Sequence, residues 1–174
     1  MRGQAMKLPS CPPFRAVEMC LAVEIADAPF APGAFLGPFT RAHPGLGALC
    51  TFTGEVRGGG ADGTGVEALE LQHYPPLTRA GMLELGRDAL ARFDLVGLLM
   101  VHRVGVMEPG DPIVLVAACA THRRPAFDAV DFCMDHLKSR SWFWKREKRG
   151  GAWHWIEPTV ADQRALERWK AAPS

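Results

Sequence analysis

Residues 96–120 read VGLLMVHRVGVMEPGDPIVLVAACA. Two apolar runs, Val96 to Val104 and Pro112 to Ala120, flank Glu108-Pro109-Gly110-Asp111. The proline, glycine and aspartate of that tetrad are turn formers, each for its own backbone reason, so the two runs read as a hairpin of core strands. On the amino-terminal side, Leu77 to Phe93 reads as a helix, because Met82 with Ala89 and Leu83 with Leu90 repeat at seven and form one apolar stripe. Pro75-Pro76 closes a strand at Val66 to Tyr74, which carries Leu69, Leu71 and His73 on one face and Glu70 and Gln72 on the other. On the carboxyl-terminal side a helix begins near Pro125 and ends around Lys138 to Arg140. Its spacing of Phe127, Val130, Met134 and Leu137 buries one face.

Further out the elements are shorter. Ala48 to Val56 suits a half-buried strand ending at Arg57, followed by Gly58 to Gly65, a loop with five glycines. Trp142 to Lys145 is a short aromatic segment, Trp153 to Ile156 a strand and Val160 to Lys170 a final helix. Val17 to Ile25 reads as an edge strand, while Pro29, Pro32, Gly33, Gly37 and Pro38 mark irregular chain. Residues 1–18, with Cys11-Pro12-Pro13, are expected to be a weakly ordered extension, and 19–174 a single domain. Hairpins mixed with helices give an α+β fold.

The chain has 174 residues, 48% hydrophobic and 22% charged, enough for an ordinary core without metal or disulfide. Twenty Lys and Arg against 19 Asp and Glu exclude a surface built wholly for nucleic acid or anionic membrane, so an anion site must be local. Five cysteines with no CxxC spacing suit a reducing cytosol, and no apolar run is long enough to span a bilayer, so a cytoplasmic protein is expected. The six histidines contain no HxH or HxxxH pair, so no metal is expected, and no cofactor motif is present. Cys119 and Cys133 fall in core elements and are not expected to be nucleophiles.

Charge concentrates between Lys138 and Arg149, where six cations face only Glu147, a local +5 in a chain otherwise −4. Alone, such a run is most often a solvated loop. Trp142, Phe143 and Trp144 beside it point instead to a pocket wall, and in an extended segment Trp144 and Lys145 face opposite ways. His122 and Arg123, between a core strand and a helix start, form a second anion-directed feature, and Arg57 at another strand end is a third.

Taken together, Phe52-Thr53-Gly54-Glu55-Val56-Arg57, Leu71-Gln72-His73-Tyr74-Pro75, His102-Arg103-Val104-Gly105, Thr121-His122-Arg123, Met134-Asp135-His136-Leu137-Lys138 and Phe143-Trp144-Lys145-Arg146-Glu147 form a set of blocks in order. In order and spacing the set resembles the catalytic (large) subunits of molybdopterin synthase, over about Leu46 to Trp169. The resemblance implies an α/β hammerhead-type fold with an additional β subdomain, and a homodimer that binds two small ubiquitin-like sulfur carriers as a heterotetramer. It implies a sulfurtransferase: the carrier's C-terminal Gly-Gly thiocarboxylate would convert cyclic pyranopterin monophosphate into the molybdopterin dithiolene. Lys138 and Lys145 match the two catalytic lysines. Arg57, His122, Arg123 and Arg146, with Glu55, Val56 and Glu147, match the substrate-binding set, and Phe52, Met134 and Trp144 the pocket wall. The chain departs from the family in Trp142, where proline is usual, in Gln72 for glutamate, and in its glycine-rich stretch after Arg57. The competing reading is a nucleic-acid or anion-binding module using residues 138–149.

Overall fold

The computed structural model describes residues 20–45, 47–59, 65–140, 142–157 and 159–170. Twelve elements follow in order: β1 (Leu21–Ala26), α1 (Pro32–Ala42), β2 (Ala48–Glu55), β3 (Ala68–His73), α2 (Pro75–Arg92), β4 (Gly97–Arg103), β5 (Gly105–Met107), β6 (Pro112–Ala120), α3 (Arg123–Ser139), β7 (Phe143–Arg149), β8 (Ala152–Ile156) and α4 (Val160–Glu167). The expected extension at 1–18 and the middle of the glycine-rich loop, 60–64, lie outside the described residues.

The hairpin forms the centre. β4 and β6 pair antiparallel from Gly97↔Cys119 to His102↔Val114, and every residue of β4 is buried. Alternate residues of a strand face opposite sides, so this ribbon needs cover on both. On one side Leu98, Met100, Val116 and Ala118 pack with Met82, Leu85 and Ala89 of α2 and Ala129, Cys133 and Leu137 of α3. On the other, Leu99, Val101, Leu115, Ala117 and Cys119 pack with Phe35 and Phe39. β1 joins parallel to β4 and β2 antiparallel to β6, giving the order β1-β4-β6-β2 with β1 at an edge, as its sequence indicates.

The second cover overturns one expectation. The proline- and glycine-marked stretch is not irregular but contains α1, with Pro32 in its first turn and Pro38 inside it. Pro32 costs nothing there, and Pro38 has no amide to give the carbonyl of Ala34. Burial of Phe35 and Phe39, four apart on one face, outweighs that loss, each worth about 2–3 kcal/mol when withdrawn from water.

The link between β4 and β6 is more than a turn. Gly105, at φ 85°, redirects the chain out of the main sheet, and β5 pairs with β3 in a second sheet of order β5-β3-β7-β8. The buried Arg103 pins the link, donating to Asp111 Oδ2 at 2.9 Å and to the Val106 carbonyl at 3.2 Å. The Glu108 amide and the Arg103 guanidinium hold the Asp111 carboxyl below its ordinary range, against the opposing effect of burial.

Two other details differ from expectation. β7 extends through the basic run to Arg149 as an interior strand, where a short aromatic segment was expected. Its charges find partners across the sheet: Arg146 bonds Glu70 and lies 4.8 Å over Trp153 and 5.5 Å over Trp155, and Lys148 reaches Glu67 at 3.5 Å. Phe127 is 51% exposed, because the stripe of α3 that meets the sheet runs through Ala126, Val130, Cys133 and Leu137 and leaves Phe127 on its flank.

The two sheets meet where His102 stacks on Phe143, ring centroids 4.0 Å apart and planes 18° apart. His102 Nδ1 donates to the Arg103 carbonyl at 3.0 Å. Burial, with His73 nearby, pushes the imidazole down to about 4, so the ring is neutral in the fold at neutral pH. The unfolded chain then takes up a proton that the folded one refuses. Stability from this site is complete above about pH 6.5 and falls as pH drops toward 4, by about 3 kcal/mol in all. His136, lowered by burial, adds in the same sense. Urea unfolding at pH 7.5 and 4.5 should show a much smaller loss for His102→Phe than for the wild-type chain. Equal losses would place the acid sensitivity elsewhere.

Candidate active site

Lys138 stands exposed in the last turn of α3, and Lys145 is the third residue of β7. The chain between them is anchored by Trp142. Its carbonyl accepts Thr78 Oγ1–H of α2 at 3.0 Å, and its indole fills a notch over Gly81, where an added Cβ would fall 2.4 Å from the ring. Arg140 lies over the indole, its guanidinium carbon 5.3 Å from the ring centroid. Trp142, which stands where the resemblance leads one to expect proline, is therefore buried and fixes the bend.

The charges of both amines bear on one carboxyl, that of Asp162. α4 opens with reciprocal capping: Asp162 Oδ2 accepts the Thr159 amide at 3.0 Å and its hydroxyl at 2.7 Å, and the Asp162 amide donates back to Thr159 Oγ1 at 3.2 Å. Burial raises the Asp162 carboxyl, but the Thr159 bonds and the charges of Lys138 and Lys145 outweigh it, so the carboxyl is held below its ordinary range. Ser139 Oγ donates to the Asp162 carbonyl at 3.0 Å, fastening α4 to the end of α3. Lys145 Nζ also lies 3.5 Å from Glu147, whose carboxylate is shared with Arg149. Burial acts to raise Glu147, yet Arg149 and Lys145 bring it below the usual carboxylate range.

The remaining candidates divide by position. Val56 is buried with Leu69, Leu71 and Met107 against Phe143, which sets Glu55 and Arg57, both exposed, beside the root of β7. Met134 is buried one turn before Lys138. Phe52 lies on β2, 39% exposed. Trp144 and Arg146 lie on the face of β7 opposite Lys145, and Arg146 is already matched by Glu70. His122 and Arg123 are at the other end of α3. Fifteen residues at 1.5 Å each put Arg123 about 22 Å from Lys138 along the axis.

Asp162 was not among the residues singled out from sequence. The signal was present, as Thr159-Val160-Ala161-Asp162 has capping-box spacing at a helix start. Burial raises both Cys119 and Cys133, the first to about 11, which leaves these thiols unreactive. Among the described residues no group of three or more His, Cys, Asp or Glu is placed to hold a metal ion, and no described helix is long and apolar enough to cross a membrane.

A molybdopterin synthase catalytic subunit from Caulobacter vibrioides is 44% identical over 147 residues, covering 84% of this chain and 96% of the relative. The molybdopterin biosynthesis MoaE protein of Burkholderia ambifaria superposes with a TM-score of 0.72 at 36% identity, covering 86% of this chain and 97% of that one. The crystal structure of molybdopterin synthase from Staphylococcus aureus superposes at 0.67 with 25% identity, covering 76% and 95%. The family model described as MoaE protein matches residues 25–140, from the end of β1 through Lys138. On that match, which takes in the whole main sheet beyond its first strand and the lysine-bearing helix, the chain belongs to the MoaE family.

Proposed function

We propose that this chain is the catalytic subunit of molybdopterin synthase, an enzyme of molybdenum cofactor biosynthesis acting in the cytoplasm as a sulfurtransferase. The observation that carries the mechanism is the short bend, fixed by the buried Trp142, that joins the exposed Lys138 at the end of α3 to Lys145 on β7. The donor is the C-terminal thiocarboxylate of a small ubiquitin-like carrier, and the acceptor is cyclic pyranopterin monophosphate. In each transfer a carbon–sulfur bond forms on the pterin as a carbon–oxygen bond at that carbon breaks, its oxygen leaving as water or on the phosphate, while the carrier's acyl–sulfur bond breaks and water restores the carrier's carboxylate. Two transfers make the dithiolene. Both reactants are anions, so fixed cations are what the site must supply. Either amine can steady developing oxyanion charge or move a proton at the reacting carbon. A Gly-Gly terminus suits the narrow approach, because glycine presents no side chain.

The placement of His122 and Arg123 supports a homodimer within a heterotetramer. One copy cannot bring both ends of α3 onto one small substrate. Two copies can, if the His122–Arg123 corner of one reaches the lysines of the other. The competing nucleic-acid reading loses its main support, because Arg146, Lys148 and Arg149 are each matched by Glu70, Glu67 and Glu147.

The test is reconstitution with thiocarboxylated carrier and the cyclic pterin, followed by detection of the dithiolene product. Absence of product with both partners intact would defeat the proposal. In the same assay Arg57→Ala and Arg123→Ala should each raise KM about tenfold with smaller changes in kcat, the pattern of lost substrate binding. Unchanged KM in both would remove them from the anion site.

A further inference from the structure

We infer that Arg149 is a positioning residue for Lys145, acting through Glu147: its guanidinium fixes the carboxylate that in turn fixes the amine. The inference deepens the function proposed above and rests on the role given there to Lys145. Lys145, Glu147 and Arg149 stand at alternate positions of β7 and so share one face of the strand. Along that face the two oxygens of Glu147 are divided. Oε2 accepts twice from Arg149, from Nε at 3.1 Å and from Nη2, whereas Oε1 faces Lys145 Nζ at 3.5 Å. The Glu147 side chain is 14% exposed and that of Arg149 20%, while Lys145, at 38%, is the most open of the three.

The division has a physical reason. A planar guanidinium that gives two N–H groups to one oxygen fixes where that oxygen lies. An ammonium on a flexible four-carbon stem is a point charge that follows its partner. Arg149 is therefore the member of the row that sets the carboxylate, and Lys145 the member that is set. At 3.5 Å the amine's pair is loose, so Lys145 is kept near its post and can still turn to an anionic reactant. Arg149 is itself held. It closes β7 just before Gly150 and Gly151, which turn the chain at φ 54° and 79°. The turn is fastened to Glu67, beside β3: the Gly151 amide donates to Glu67 Oε1 at 2.8 Å, and the Glu67 amide to the Lys148 carbonyl at 2.8 Å. Across the hairpin Arg149 is paired with Ala152, whose small side chain takes little of the space through which the guanidinium folds back over Glu147.

The test follows the order of the Lys145 side chain in the full chain, by carbon-13 relaxation at Cε, together with kcat in the reconstituted reaction. Arg149→Gln removes the charge and the two-pronged donor. It should loosen Lys145 as far as Glu147→Gln does, and the double variant should loosen it no further, because both changes act along one path. Arg149→Lys keeps the charge without the fork and should leave Lys145 at an intermediate order. In the reaction Arg149→Gln should lower kcat about tenfold while KM for the pterin stays within about twofold, and the double variant should be no slower than Glu147→Gln alone. Wild-type order at Lys145 in Arg149→Gln would overturn the inference. So would losses that multiply in the double variant, or full kcat in a variant whose Lys145 is loosened. Relaxation is read without turnover, so loosening of Lys145 in a chain whose wild type makes no dithiolene would strike the proposed reaction and leave the Arg149 row standing.

Discussion

Lys138→Ala is expected to lower dithiolene formation by about 100-fold or more while binding of the carrier stays measurable, the size of effect seen when a group that acts only in the transition state is removed. The reasoning is positional. Lys138 is exposed at the end of α3 and contributes nothing to the core beneath it, which is made by Met134 and Leu137. Its removal should therefore leave the melting temperature within a degree or two. Lys145→Ala should also impair the reaction strongly, and since Glu147 would lose a partner, its carrier affinity is the more sensitive control. The shared-site reading adds a sharper result. Assayed well below the wild-type KM, where Lys138→Ala is nearly inactive and Arg123→Ala about tenfold impaired, the two chains should regain up to about a quarter of wild-type activity when mixed, because one of the two sites in a mixed dimer then holds both native residues. Wild-type turnover in Lys138→Ala would refute its role, and mixtures no better than their components would confine the site to one protomer.

Trp142→Ala is expected to cost about 3–5 kcal/mol, read as a lowered urea midpoint, since it empties a buried indole from the junction of α2 and the α3–β7 bend. Gly81→Ala attacks the same contact from the other side. The new methyl would press on the ring at 2.4 Å, an overpacking worth about 1–3 kcal/mol. Because the indole fixes the path from Lys138 to Lys145, both variants should lose activity faster than stability. If Trp142→Ala unfolds at the wild-type midpoint, the notch over Gly81 is not the anchor described.

The parts of the fold that were legible in the sequence are those where one physical signal dominates. The β4/β6 hairpin, the edge position of β1, the alternation of β3 and the stripe of α2 follow from runs of apolar residues at period two or seven, and the structure has them. α1 was not legible, because prolines argue locally against a helix, whereas what decides it is the bare second face of β4 and β6, known only once the sheet exists. β7 was too short in the reading for a related reason. A basic run looks solvated until Glu67 and Glu70 on another strand are seen to match it. The lysines could be picked out by their pattern in the chain. Asp162 stands 17 positions after Lys145 with β8 between them, so the influence of both lysines on its carboxyl is known only from the fold.

The route of residues 96–120 has a mechanical consequence. One uninterrupted ribbon supplies two central strands of the large sheet and, midway, an outer strand of the small one. The small sheet is thus sewn into the large one and cannot be lifted away, swapped or expressed as a separate module without cutting the most deeply buried stretch of the molecule. Native-state hydrogen exchange should register the seam, with amides of residues 105–107 and 98–102 opening in a single step.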